Sequence, residues 1–541
     1  MVVPELRPWR AARPHVTRLA GAVRPRLARA AQAVRPRLAR AATAVRITRP
    51  KTWQYTAGAA TAGLALAAGV VTAAGPWDST GQRTAERDRA VAQERTGGAD
   101  HGRNTDAADS SGSSDSSGSS GSSDTTADGP RPAPSAASVL TGLGGGTSAV
   151  KSAPNGKALA ELVGPLLDAP ELGSHMSAAI VDVTSGERLY GEGVAEALVP
   201  ASTTKIATAA AALAALGPDH RLTTRTAMEP DTKELVLVGG GDPTLTAREE
   251  ADGWASLRDL ADRTAAALKK RDVRQVTLSY DKTLYAGPER HPIGKNVNLA
   301  PVSALMVDQG RTNDSTSGTA DRVPDPAKDA AAKFADLLAD RGVKTTAPGP
   351  SKATNRAQPL AEVSSPPLSA LVERMLTNSD NDIAEALARH TAVASGARAD
   401  FDGAGKAIGA RLKRLGLPVA GAEFKDGSGL NRADRLTADL LTALLAKAAD
   451  PAHPQLRPIL TGLPVAGFTG TLTSRYTDGA AGVVRAKTGT LTGVNALAGT
   501  AVDQDGHLLA FAFLATGTTS RDAAQSALDR TATALASCGC G

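Results

Sequence analysis

Aromatic side chains are scarce in this 541-residue chain, at 3%, while alanine and glycine abound and hydrophobic residues reach 41%. The composition fits globular structure, and the length allows two or more domains with ample core. Several signatures are missing. No Gly-x-Gly-x-x-Gly or Walker lysine accompanies Gly239-Gly240-Gly241, so a turn is expected there and not a phosphate loop. The eight histidines form no His-x-x-Glu or His-x-His pattern, which argues against a zinc hydrolase; no metal or other cofactor is implied. Cysteine occurs twice, as Cys538 and Cys540 at the very end, where a pair outside the cytoplasm is expected to be oxidised, to itself or intermolecularly. No function is assigned to it.

Charge is missing in two places. Residues 1–51 hold 13 Lys/Arg against the single acid Glu5, so the remainder has 48 basic and 54 acidic groups. The net charge of +6 therefore belongs to the head, and a nucleic-acid-binding body is not expected. The head contains a repeat, residues 22–32 recurring as 33–43, with a proline inside each copy, and reads as a largely disordered or transiently helical arm, 1–52. From Trp53 to Trp77 there is no charge at all. This stretch, 53–77, has the length of a membrane span, bracketed by Trp53, Tyr55 and Trp77 and preceded by positive charge. It is expected to be a single-pass anchor with the body outside the cytoplasm, the alternative being a cleaved export signal that leaves the body secreted. Residues 78–150 follow as a linker, its 110–128 stretch almost wholly Ser, Gly, Asp and Thr and unable to fold; such a tether reaches on the order of 50 Å.

Globular patterning begins near residue 158, with a helix over 159–167, a strand over 178–183, a turn at Thr184-Ser185-Gly186 and a return strand. Then comes Pro200-Ala201-Ser202-Thr203-Thr204-Lys205, leading into the alanine-rich run 206–216. Read as a helix start, it places Ser202 and Lys205 one turn apart, with the lysine in reach of the hydroxyl. A lysine at the mouth of so apolar a helix is desolvated, which lowers its pKa and suits it to act as a base. The Ser202 N–H, unpaired on a first turn, can face an oxyanion. The bland alternative is an exposed capping serine with a solvated lysine.

Strands over 221–228 and 234–238, a helix over 254–270, a strand over 276–280 and a helix over 326–341 precede any further chemical signature, and 221–365 is expected to be an insert. Ser379-Asp380-Asn381 then separates two helical stretches; taken alone it reads as a capping motif. Lys487-Thr488-Gly489-Thr490 lies on a strand whose inner face carries Lys487, with Gly489 allowing a ligand close to the backbone. Strands over 495–502 and 507–514 and a helix over 522–535 close the chain.

Ser-x-x-Lys, Ser-Asp-Asn and Lys-Thr-Gly in this order resemble the motif set of penicillin-binding proteins and class A β-lactamases. The likeness is nearest to the low-molecular-mass class C penicillin-binding proteins, the D-alanyl-D-alanine carboxypeptidase/endopeptidase family. It extends over about 155–535 and includes 238–245, 426–430, 463–467 and 485–493. The resemblance implies an α+β fold, a five-stranded antiparallel sheet flanked by helices, with a catalytic domain of 151–220 and 366–541 interrupted by a large insert after the nucleophile. It implies Ser202 as nucleophile, Lys205 as base and Ser379 as proton relay. Asn381, Lys487, Thr488, Gly489 and Thr490 are implied to bind substrate, with the N–H groups of Ser202 and Thr490 as oxyanion hole. It further implies peptidoglycan stem peptides as substrates and β-lactam antibiotics as covalent inhibitors. No convincing candidate for the class A deacylating glutamate is present, which implies slow β-lactam hydrolysis. A non-hydrolytic sensor of β-lactams or peptidoglycan, or an esterase, on the same scaffold is the alternative.

Overall fold

The computed structural model describes residues 155–476 and 479–539. The expected arm, span and linker, and Cys540, lie outside the described residues. Among the described residues no helix is long and apolar enough to cross a membrane.

Helix α1 (Gly156–Leu167) is capped by the Asn155 side chain and buries Leu159, Val163 and Leu167 along one stripe. The hairpin follows as β1 (His175–Asp182) and β2 (Arg188–Glu192). The alanine-rich run is α2 (Thr204–Leu216). Next come β3 (Thr223–Met228), β4 (Glu234–Val238), α3 (Leu257–Lys270), β5 (Gln275–Asp281), α4 (Pro326–Asp340), β6 (Lys344–Thr345), β7 (Gly349–Pro350) and β8 (Gln358–Ser364). Five helices succeed them: α5 (Leu368–Asn378), α6 (Asn381–Ala394), α7 (Phe401–Arg414), α8 (Ala438–Ala449) and the short α9 (Pro458–Gly462). Strands β9 (Val484–Leu491), β10 (Val494–Val502) and β11 (Leu508–Thr516) and helix α10 (Arg521–Ala536) complete the order.

The main sheet is five-stranded and antiparallel throughout, in the order β2-β1-β11-β10-β9, as the family resemblance implies. Central strand β11 is buried on both faces, and its period-two alternation divides two apolar clusters. Ala510, Ala512 and Leu514 face the helices around α2, while Leu509, Phe511, Phe513 and Ala515 face α1 and α10. Ala179, Ala496 and Ala498 extend the small-residue face, letting the helical layer lie close on the sheet. Within that layer α2 is encased: every residue from Thr204 to Leu213 is buried. Alanine at half of these positions is what permits neighbours on all sides.

A second sheet, β6-β5-β4-β3-β8 with β7 also on β5, is formed within Thr223–Ser364 and has its own apolar cluster around Leu235, Leu260, Leu278 and Phe334. Strands β4 and β5 are parallel and joined by α3, and β5 and β6 are parallel and joined by α4, whereas β3 pairs antiparallel with both its neighbours. Gly240 packs so closely under β3 that a Cβ would come 1.8 Å from Thr223 O, so the glycine run serves packing.

One boundary near the first motif differs from expectation. Helix α2 begins at Thr204, and Ala201–Thr203 form a separate 3-10 turn before it. The cause is Ala201, held at φ 47, where an L-residue is strained and a continuous helix is impossible.

Candidate active site

Three segments meet at the mouth of α2. The turn before it carries Ser202, the α5–α6 junction carries Ser379 and Asn381, and β9 carries Lys487 to Thr490.

Lys205 Nζ is completely buried and lies 3.0 Å from Ser202 Oγ, 2.6 Å from Asn381 Oδ1 and 2.6 Å from Ser428 O. Burial pulls its pKa down to about 8, against the opposing pull of Asp426, Glu385, Asp380 and Asp434. A neutral amine has two N–H groups and one lone pair. With Asn381 Oδ1 and Ser428 O fixed as acceptors, the lone pair is left for the Ser202 hydroxyl.

Ser379 ends α5 in the left-handed region at φ 56, which breaks the helix and lets α6 restart two residues later. Asp380 is the N-cap of α6 and accepts from Ile383 N, so the capping role expected from the triplet alone belongs to it. Its other oxygen accepts from Gln309 Nε2 at 2.6 Å. Asn381 opens α6 and is spanned by two contacts: Oδ1 accepts from Lys205, and Nδ2 donates to Asn298 O at 2.9 Å. Among the described residues no hydrogen bond joins Ser379 to Ser202 or Lys205; its place in the site is set by the backbone next to Asn381.

On β9, Lys487 is fully buried on the inner face, its Nζ donating to Thr488 O at 2.8 Å. Burial, then the charges of Lys205 and Arg475, push its pKa well below the ordinary lysine value. At Gly489 a Cβ would come 2.6 Å from Pro200 O and 3.3 Å from the Ala201 Cβ, so its bareness admits the turn that bears Ser202 against the strand. Thr488 and Thr490 are half-buried, their hydroxyls held by Thr471 and Gln525.

The strand edge explains access. β9 is the last strand, and residues 464–466 cover only its start, through Ala486 N to Pro464 O and Ala466 N to Val484 O. Alternation then turns the peptide groups of Thr488 and Thr490 outward too, on the part those residues leave bare. Ser202 N–H lies ahead of the turn's first bonds, which start at Thr203 N and Thr204 N. Both lysines are thus buried behind a rim of half-buried Ser202, Ser379, Asn381, Thr488 and Thr490.

Sequence reading did not single out several residues that hold this arrangement. Ser428 serves through its carbonyl, and Asn298 likewise, so side-chain type gave no signal. Behind Ser428, Glu385 accepts from Gly427 N and Ser428 N, and Asp426 accepts from Ser428 N, Gly429 N and Asn431 N. His291 Nε2 lies 2.9 Å from Asp426 Oδ2. The signal available was a glutamate within the otherwise apolar stretch 383–387 of α6 and the turn-rich Asp426-Gly427-Ser428-Gly429. His291, Glu385 and Asp426 bring possible metal-binding atoms within 4.8 Å of one another, but these carboxylates are already engaged by backbone N–H groups and the imidazole, which makes the group a hydrogen-bonded network and not an open ligand set.

A family model described as the D-Ala-D-Ala carboxypeptidase 3 (S13) family matches residues 158–321 and 312–537. Carboxypeptidase DacB of Mycolicibacterium smegmatis is 37% identical over 408 residues, 72% of this chain and 86% of that protein. A carboxypeptidase of Mycobacterium tuberculosis is 38% identical over 391 residues, 69% of this chain and 82% of that protein. The crystal structure of penicillin binding protein 4 (dacB) from Haemophilus influenzae, also solved with a β-lactam, matches with a TM-score of 0.56 at 21% identity, over 70% of this chain and 98% of that one.

Proposed function

This chain belongs to the D-Ala-D-Ala carboxypeptidase 3 (S13) family, and from that premise we propose that it is a serine D-Ala-D-Ala carboxypeptidase and penicillin-binding protein that cleaves peptidoglycan stem peptides through an acyl-enzyme at Ser202. The observation that carries the reading is Lys205 Nζ, buried, 3.0 Å from Ser202 Oγ and tied down by two fixed acceptors.

In its neutral form Lys205 takes the Ser202 proton as the oxygen attacks the carbonyl between the two D-alanines. The tetrahedral oxyanion sits between the N–H groups of Ser202 and Thr490, the latter on the bare edge of β9. Ser379 passes the proton to the departing D-alanine amine. Asn381 holds Lys205 through Oδ1 and offers the substrate amide its remaining capacity. Lys487 and Thr488 draw the terminal carboxylate, whose charge restores the proton affinity that burial has taken from Lys487. Water then releases the acyl group. A β-lactam carbonyl enters the same path and stays on Ser202.

The purified protein should release D-alanine from a D-Ala-D-Ala peptide and take up labelled penicillin, and Ser202→Ala should do neither. Uptake of penicillin without turnover of peptide would instead identify a sensor. Ester hydrolysis independent of a free substrate carboxylate and of Lys487 would identify an esterase. Mass spectrometry of digested muropeptides separates trimming of stem peptides from cutting of cross-links, both of which are acyl transfers at a D-alanine carbonyl.

The basic head followed by 25 uncharged residues, 53–77, supports a membrane-anchored protein with its body outside the cytoplasm. Recovery of the full-length protein in the soluble fraction of cells would refute anchoring.

A further inference from the structure

The Ser202–Lys205 pair does not stand on its own elements alone. One of the two acceptors that fix Lys205 is the Ser428 carbonyl, at 2.6 Å, and the Gly427–Ser428 backbone is itself held from behind. Glu385, on the second turn of α6 and 1% exposed, accepts from Ser428 N at 2.9 Å and from Gly427 N at 3.1 Å. Asp426, fully buried, accepts from Ser428 N at 3.0 Å and Gly429 N at 2.6 Å through one oxygen, and from Asn431 N at 2.7 Å with His291 at 2.9 Å on the other. Two carboxylates therefore stand one residue behind the carbonyl that receives the lysine.

We propose that Glu385 is a positioning residue for the reaction: it fixes the Ser428 carbonyl that aims Lys205 at Ser202, and its negative charge sets the pH at which that amine becomes a base. The proposal rests on the reading of Lys205 as the base that activates Ser202.

Charge and geometry agree on the direction. Lys205 is faced by Glu385 and Asp380 from the start of α6, by Asp426 and Asp434 from the loop after α7, and by Lys487 from β9. Glu385 is faced in turn by Asp426, His291, Asp434 and Arg389. Burial, then the charge of Asp426, raises the Glu385 pKa above the carboxylate range, so its ionisation overlaps the pH range where the enzyme is assayed. Burial, then Asp426, raises Asp434 further, whereas hydrogen bonds from His291 and the loop backbone outweigh burial and hold Asp426 below its ordinary value. Asp426 is thus the permanent charge and Glu385 the variable one. A negative neighbour favours the ammonium form of Lys205; removing it makes the amine neutral at lower pH.

The test is the second-order rate of acylation by labelled penicillin across pH. In the native enzyme the rate should rise to a plateau with a midpoint near 8, following deprotonation of Lys205. Glu385→Gln should move that midpoint down by about one pH unit, a tenfold change in the neutral fraction below it. Glu385→Asp, which keeps the charge but shortens its reach, should lower the plateau without moving the midpoint. A folded Glu385→Gln protein with an unmoved midpoint overturns the proposal, as does an equal shift in both variants. Should Glu385→Gln not fold, the coupling is read from the other side by carboxyl carbon NMR. The Glu385 resonance, identified by its loss in Glu385→Asp, should titrate at higher pH in Lys205→Met than in the native protein, and identical midpoints overturn the idea. If instead Lys205→Ala acylates at the native rate, the reading of Lys205 as the base fails, a result distinct from either of these.

Discussion

Two non-glycine residues at the site, Ala201 and Ser379, adopt left-handed backbone. Ala201 turns the chain immediately before Ser202, and Ser379 turns it two residues before Asn381, both of which contact Lys205, so their strain is held where direction matters most. Gly489 supports the first of these turns by leaving room for Pro200 O. Gly489→Ala is accordingly expected to cost about 1–3 kcal/mol of stability and to slow penicillin acylation at least tenfold, measured by thermal unfolding and labelled-penicillin uptake. Native acylation would mean that the turn adapts freely. Lys205→Ala should lower acylation by roughly 10²–10⁴-fold at pH 8. Much of this scale was legible in the sequence, because Ser202, Lys205 and Asn381 meet through side chains whose chemistry is visible in a triplet. Ser428 and Asn298 were not, since a carbonyl belongs to every residue and only the fold selects one. Gly489 was visible, but its clearance for Pro200 O was not: sequence can show that space is needed without showing every neighbour that needs it.

Among elements, α2 is the post on which the site is mounted. Its alanine run keeps α5, α6, α7 and α8 within reach of one another, and a larger side chain has nowhere to go. Ala210→Leu should destabilise the protein by about 1–3 kcal/mol through overpacking, read as a lowered melting temperature with little change in the acylation rate of the folded fraction. Strands and helices were readable where period was clear, β11 by its unbroken apolar run, while α3, expected over 254–270, starts only at Leu257 because Ser256 caps it. Their pairing was not. Parallel β4 and β5 beside antiparallel β3 depends on the crossover helix between them, and no residue pattern within either strand records which neighbour it will meet.

At the scale of the molecule, the loop that precedes α4 is tied to α6 by a buried ion pair, Arg322 to Asp382 at 2.8 Å, with both side chains nearly inaccessible. Removing one partner leaves the other charged and desolvated, so Arg322→Met should cost about 3–5 kcal/mol; a double substitution replacing both charges should recover part of it, measured by denaturant unfolding. The motif order in the sequence announced that distant segments would converge, yet gave no sign of this tie, because an arginine and an aspartate sixty residues apart are unremarkable until they are buried together.

Opening a sheet at its margin normally invites a neighbouring molecule to add a strand and continue into a fibre. Here the cover over β9 ends just short of Thr488 and Thr490, so the part it leaves bare is short. That suffices to seat the end of a short extended peptide and gives another copy of the enzyme very little to zip onto. The catalyst can therefore stay permanently open to its polymeric substrate without becoming one itself.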